Sequence, residues 1–189
     1  MFLKTTQFKK MLKEKYNSGG IEVFCSDSDT RIAGAYWMIA VKNGKINKEN
    51  LAAIIEFTGE LPKEGTGANI SKTGNQGSFA LKDVDIQNID TDFVGISRIT
   101  LTTSQDERVR LLQDDEGNIY PIYEDILKLI DPSKIDKNLG ETLPDGPFIM
   151  KDGTIMWRNN IMALKVHPRR DENYKELADY LEKFPGGIV

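Results

Sequence analysis

Apolar residues recur along this chain at two periods, one suited to helices and one to strands. Phe8, Met11, Leu12 and Tyr16 fall at i, i+3, i+4 and i+8, one stripe of a helix over residues 6–17. Ser18-Gly19-Gly20 ends it. Residues 21–42 then alternate as a hairpin. Its second arm carries Ala33, Ala35, Trp37, Ile39 and Val41 on one face and Gly34, Tyr36, Met38 and Ala40 on the other, as a strand covered on both sides. A second helix follows over residues 48–57, with Leu51, Ile54 and Ile55 inward and Gly59 as its stop.

Residues 63–77 are rich in Gly, Thr, Ser and Asn and read as a long loop. Short strands are expected at 79–81 and 84–89, and two long antiparallel ones at 94–103 and 108–113, the latter followed by the acidic turn 114–118. A third helix is predicted over 121–130, with Pro121 in its first turn and Asp131-Pro132 at its end. After a polar stretch, residues 148–166 read as a meander turning at Asp152-Gly153 and Asn159-Asn160. A last helix over 171–184, capped by Asp171, buries Tyr174, Leu177, Ala178 and Leu181.

The late order of elements echoes the early one. The expected class is therefore α+β, with antiparallel sheets, four helices and a pseudo-repeat of an α–ββ–α unit. Coincidence would give the same order wherever strands and helices alternate. The halves divide as 1–90 and 91–189, or run together as one continuous domain.

Composition narrows the function classes. The net charge of -4 argues against a surface coated in positive charge. The single Cys25 excludes an intramolecular disulfide framework and suits a reducing compartment. No stretch approaches the roughly 18 apolar residues a spanning helix needs, and none resembles a signal peptide, so a cytoplasmic protein without membrane contact is expected.

Candidate chemistry is sparse. Residues 65–73 lack the glycine before Lys72 that a phosphate-binding loop requires, and no helix follows. Asp27/Asp29, Asp83/Asp85 and Asp90/Asp92 are close enough to share a divalent cation, but read more simply as turn and strand-end acids. His167 is the only histidine, too few for a multi-histidine zinc site. Trp37 and Trp157 stand in apolar alternation and read as core. No catalytic residue, metal or cofactor is expected, and an enzyme built on the aspartate pairs ranks third among the readings.

What charge there is collects in patches. Lys9, Lys10, Lys13 and Lys15 crowd the outer face of the first helix, and Lys165, Arg169 and Arg170 form a smaller basic spot. The last helix displays Asp171, Glu172, Glu176 and Glu182.

The opening Phe2-Leu3-Lys4-Thr5-Thr6-Gln7-Phe8, the hairpin 31–41, and the late segment from Gly146-Pro147-Phe148-Ile149-Met150 through Ile161-Met162-Ala163-Leu164 resemble a domain of the DNA sliding clamps, especially divergent clamp-like proteins of phages. The resemblance implies a non-catalytic accessory protein of DNA metabolism, with Lys9, Lys10, Lys13 and Lys15 touching double-stranded DNA without reading sequence. The chain is short for two clamp domains, and acids on its later helices would repel DNA. The alternative is an acidic protein–protein interaction module, such as a phage-type inhibitor of a host nucleic-acid-binding factor, acting through Asp171, Glu172, Glu176 and Glu182. Self-association stays open under either reading.

Overall fold

In a computed structural model that describes residues 1–77, 91–103 and 105–169, the period-two segments join into one antiparallel sheet. The elements run α1 (Thr5–Ser18), β1 (Ile21–Cys25), β2 (Asp29–Ala33), β3 (Trp37–Lys42), α2 (Lys48–Thr58), β4 (Thr66–Ser71) and β5 (Gly74–Asn75). They continue as β6 (Thr91–Thr102), β7 (Arg108–Asp114), β8 (Ile119–Tyr123), α3 (Glu124–Leu129), β9 (Asp145–Met150), β10 (Ile155–Arg158) and β11 (Met162–Val166). The eleven strands lie in the order β5-β4-β1-β2-β3-β11-β10-β9-β6-β7-β8.

This corrects the expected class. Among the described residues the protein is mostly sheet, with three α-helices, rather than a balanced α+β arrangement with four. The α–ββ–α echo does not survive either. Three strands separate α1 from α2, and the late meander β9–β11 sits between β3 and β6 in the early sheet. The expected last helix, 171–184, and the short strands at 79–81 and 84–89 lie outside the described residues.

Three local readings change for identifiable reasons. The helix expected from Pro121 begins only at Glu124, because Ile119–Tyr123 pairs with β7 as the last strand of the sheet order. Proline is tolerated on such a strand, and the Pro121 carbonyl accepts the Arg169 N–H at 2.8 Å. The polar stretch 63–77 contains β4, whose backbone ladder on β1, from Ile21↔Ile70 to Cys25↔Thr66, outweighs its loop-like composition. The strand expected over 33–41 breaks after Ala33. A Cβ on Gly34 would come within 2.5 Å of the Trp37 ring, so only glycine lets that indole fold back over the turn.

One face of the sheet carries the core. Trp157, Leu164, Ile39, Ile32, Val23 and Ala68 stand opposite one another across six consecutive strands. The helices cover this face: Phe8 of α1 meets Trp37 edge-on at 6.3 Å, and Tyr16 meets Phe57 of α2 at 5.5 Å. Both tryptophans are core, Trp37 at 4% and Trp157 at 3% exposure. Buried side chains from Met1 to Ile54 and from Val94 to Val166 belong to the same cluster. The opposite face buries Ala40, Met156 and Ala163 as a smaller cluster.

The first residues are stitched to the end of α3. The Lys4 N–H donates to Leu129 O at 2.8 Å and the Asp131 N–H to Phe2 O at 2.7 Å, around a Leu3↔Ile130 bridge. The Met1 ammonium, buried, is ion-paired with the buried Glu141 carboxylate. No helix among the described residues is long and apolar enough to cross a membrane.

Two stability outcomes follow. Ile39→Ala removes a fully buried side chain from the central row and should cost about 2–5 kcal/mol in chemical denaturation. A loss under about 1 kcal/mol would contradict that packing. Glu141→Gln leaves the Met1 ammonium buried without a counter-charge and should cost roughly 3–5 kcal/mol; unchanged stability would show that the pair is not formed.

Candidate nucleic-acid interface

Helix α1 is anchored from below and charged from above. Phe8, Met11 and Leu12 are its buried residues, and turning about 100° per residue places Lys9, Lys13 and Lys10 together on the opposite arc. Lys15 falls beside the apolar stripe instead. It is half-buried, with its Nζ 3.1 Å from where a Cβ on Gly19 would stand. The four lysines therefore divide into an exposed trio and a flanking fourth.

Acids from neighbouring helices engage two of the trio. Lys9 Nζ lies 2.6 Å from Glu56 Oε2 of α2, with both side chains about half exposed. Lys10 Nζ donates to Asp125 Oδ2 of α3 at 2.8 Å and sits 3.7 Å from Glu14. The Asp125 hydrogen bond, with help from Glu14, holds the Lys10 ammonium above its usual range against a small opposing effect of burial. Burial disfavours ionised Asp125, but hydrogen bonds from Lys10 and Lys128 outweigh it and bring that carboxyl below its usual range. Lys13 is exposed.

The other basic candidates do not join this trio. Lys165 alternates with the core residues Leu164 and Val166, so it stands on the opposite face of the sheet, where its Nζ lies 2.6 Å from Asp152. Asp152 also accepts from Thr154 N–H and Oγ1; despite burial, these partners draw its carboxyl down to about 2. Arg169 follows β11, pairs with Glu107 at 2.5 Å and lies over the Tyr123 ring at 5.2 Å. Arg170, Asp171, Glu172, Glu176 and Glu182 lie outside the described residues.

Beside the trio is a cavity of about 430 Å³, lined by Glu14, Tyr36, Glu107, Tyr123, Asp125 and Lys128 among others. Tyr36 and Tyr123 stack at 4.3 Å between ring centres. Burial, reinforced by nearby acids, pushes the Tyr36 phenol well above its usual range, so it remains a neutral hydroxyl. At the cavity's edge Glu124 gathers Arg110 at 2.6 Å, Arg108 at 3.0 Å and Lys128 at 3.8 Å. Sequence reasoning missed this cluster, because Arg108 and Arg110 on a strand meet Glu124 only through the β7–β8 pairing. The alternation Arg108, Arg110 was its one visible signal.

Among the described residues, the candidates for reactive chemistry are not brought into an assembled site. Burial raises the Cys25 thiol, aided by Asp29 and opposed by a contact from Thr30 Oγ1 at 3.8 Å, so it behaves as a small buried apolar group. Asp29 is buried against Arg31 at 2.7 Å. His167 is exposed and gives its backbone N–H to Tyr36 O. Among the described residues no group of three or more His, Cys, Asp or Glu is placed to hold a metal ion. Asp83, Asp85 and Asp90 lie outside those residues.

The Glu124 cluster makes a pH prediction. Arg110's hydrogen bond, opposed by burial and helped by Arg108 and Lys128, holds the Glu124 carboxyl below its usual range. Its ionised form then contributes stability above about pH 4.3, lost as pH falls through the depressed folded value. Glu124→Gln should make melting temperature depend less steeply on pH below about 4.3. An unchanged acid limb would contradict the cluster.

Set against protein-family models, curated proteins and solved structures, the chain matches none of them.

Proposed function

We propose that the protein is a non-catalytic accessory factor of DNA metabolism, clamp-like in its mode of contact, that touches double-stranded DNA through α1 without reading base sequence. The observation that carries this reading is the exposed trio Lys9, Lys10 and Lys13 on a helix fixed to the sheet by Phe8, Met11 and Leu12. Their pairing with Glu56 and Asp125 does not preclude phosphate contact. Exposed ion pairs are worth about 0–1 kcal/mol, and exchanging a carboxylate for a phosphate also releases condensed counterions. A contact made by lysine ammonium groups alone positions a duplex but carries no sequence information. A cytoplasmic setting accords with Cys25 buried as a free thiol.

The competing reading, an acidic interaction module, drew on Asp171, Glu172, Glu176 and Glu182, which lie outside the described residues.

Fluorescence anisotropy on a labelled duplex of mixed sequence tests the proposal. Binding should be weak and indifferent to sequence, and should fall with salt at a log–log slope of about -2.7, as expected for three phosphate contacts. The triple variant Lys9→Glu, Lys10→Glu, Lys13→Glu should abolish it with the fold intact by circular dichroism. No binding at low salt, or the same affinity in the triple variant, would overturn the proposal.

A further inference from the structure

One acid beside the α1 trio holds two cations at once. Asp125 of α3 accepts from Lys10 Nζ through Oδ2 at 2.8 Å and from Lys128 Nζ through Oδ1 at 3.1 Å. A single carboxylate therefore bridges ammonium groups from two helices, each about half exposed. Glu56 of α2 holds Lys9 at 2.6 Å in a similar exposed setting, but bridges to no second cation among the described residues.

The bridge has a fixed base and a free head. Gln7 Nε2 donates to Asp125 O at 3.4 Å, and the Lys4 N–H donates to Leu129 O at 2.8 Å. These bonds hold α1 and α3 together without help from the Asp125 carboxylate. Two further acids face the bridge: Glu14 at 3.7 Å from Lys10, and Glu124 at 3.8 Å from Lys128. Glu124 is met more closely by Arg110 at 2.6 Å and Arg108 at 3.0 Å, so Lys128 is the loosest of its three cations.

We infer that Asp125 is an autoinhibitory contact: its carboxylate stands where a backbone phosphate would bridge Lys10 and Lys128, so it competes for the first and withholds the second from a duplex. This rests on the reading of α1 as the duplex-binding helix and concerns what keeps that binding weak. Carboxylate and phosphate both make charge-assisted hydrogen bonds to ammonium groups. The carboxylate has the advantage of being tethered, and the phosphate has counterion release, which fades as salt rises. When Lys10 turns to a phosphate, Asp125 keeps Lys128, and the protein touches DNA through the α1 trio alone. Neutralising Asp125 adds Lys128 as a fourth contact. Glu56 restrains Lys9 in the same manner but hides no further cation.

The test uses the full chain and a labelled duplex of mixed sequence, with affinity and its salt dependence read by fluorescence anisotropy. Asp125→Asn should tighten binding roughly fivefold at low salt and steepen the log–log slope from about -2.7 to about -3.6, the value for four phosphate contacts. Asp125→Ser should do the same if the amide disturbs α3 by circular dichroism. Adding Lys128→Gln to either should return the slope to about -2.7. Glu56→Gln should tighten binding about two- to fivefold with no change of slope. Glu49→Gln is the control for a general gain of charge, since Glu49 meets α1 through Thr5 Oγ1 at 3.2 Å and pairs with no lysine of the trio; it should leave affinity unchanged. Wild-type affinity and slope in the Asp125 variants, a steep slope that survives Lys128→Gln, or equal tightening by Glu49→Gln would overturn this inference and leave the α1 contact standing. No binding at low salt by the wild type or any variant would overturn the α1 reading and this inference together.

Discussion

The pairing of β3 with β11 is the constraint from which the rest of the structure follows. Five residue pairs, from Met162↔Val41 to Val166↔Trp37, join a strand early in the chain to one near the end of the described residues. Without that ladder the strands would separate into β5-β4-β1-β2-β3 and β11-β10-β9-β6-β7-β8, each with an exposed edge of unpaired backbone groups. With it, Ile39 stands opposite Leu164 and the apolar row extends from Trp157 to Ala68. That row supplies a wide surface on which α1 docks, through Phe8 against Trp37.

Charge is then arranged around this frame with little waste. Ion pairs such as Lys9–Glu56 and Lys10–Asp125 tie α1 to its neighbouring helices at the surface, where they are weak and exchangeable. Others are committed to structure: Met1–Glu141 is buried, and Glu124 is enclosed by Arg108, Arg110 and Lys128. Sorting charges this way separates candidates for binding from fixtures of the fold. It leaves the α1 trio as a candidate for binding, and it removes Lys165 and Arg169, which pair with Asp152 and Glu107, from that patch.

Local patterning made much of this legible. The stripe Phe8, Met11, Leu12 and Tyr16 marks α1, Gly59 marks the end of α2, and the alternation over 94–113 marks β6 and β7. The turns at Asp152-Gly153 and Asn159-Asn160 mark the late meander. The failures share a physical origin. Thr66–Ser71 is a strand because β1 offers it a partner, and Pro121 belongs to a strand because β7 does. No local propensity records such partners. Strand order was equally hidden, since it depends on contacts more than a hundred residues apart, and two separate sheets would have satisfied the same periodicities.

Nuclear Overhauser contacts across β3 and β11 test this account most directly. The ladder places the Ile39 and Leu164 backbones opposite each other. Cross-strand contacts from residues 37–42 to 162–166 should therefore appear in this register, with the hydrogen-bonded amides among the slowest to exchange with solvent. Rapid exchange there, or contacts in another register, would mean that the early and late strands do not share a sheet, and the placement of α1 built on that sheet would fall with it.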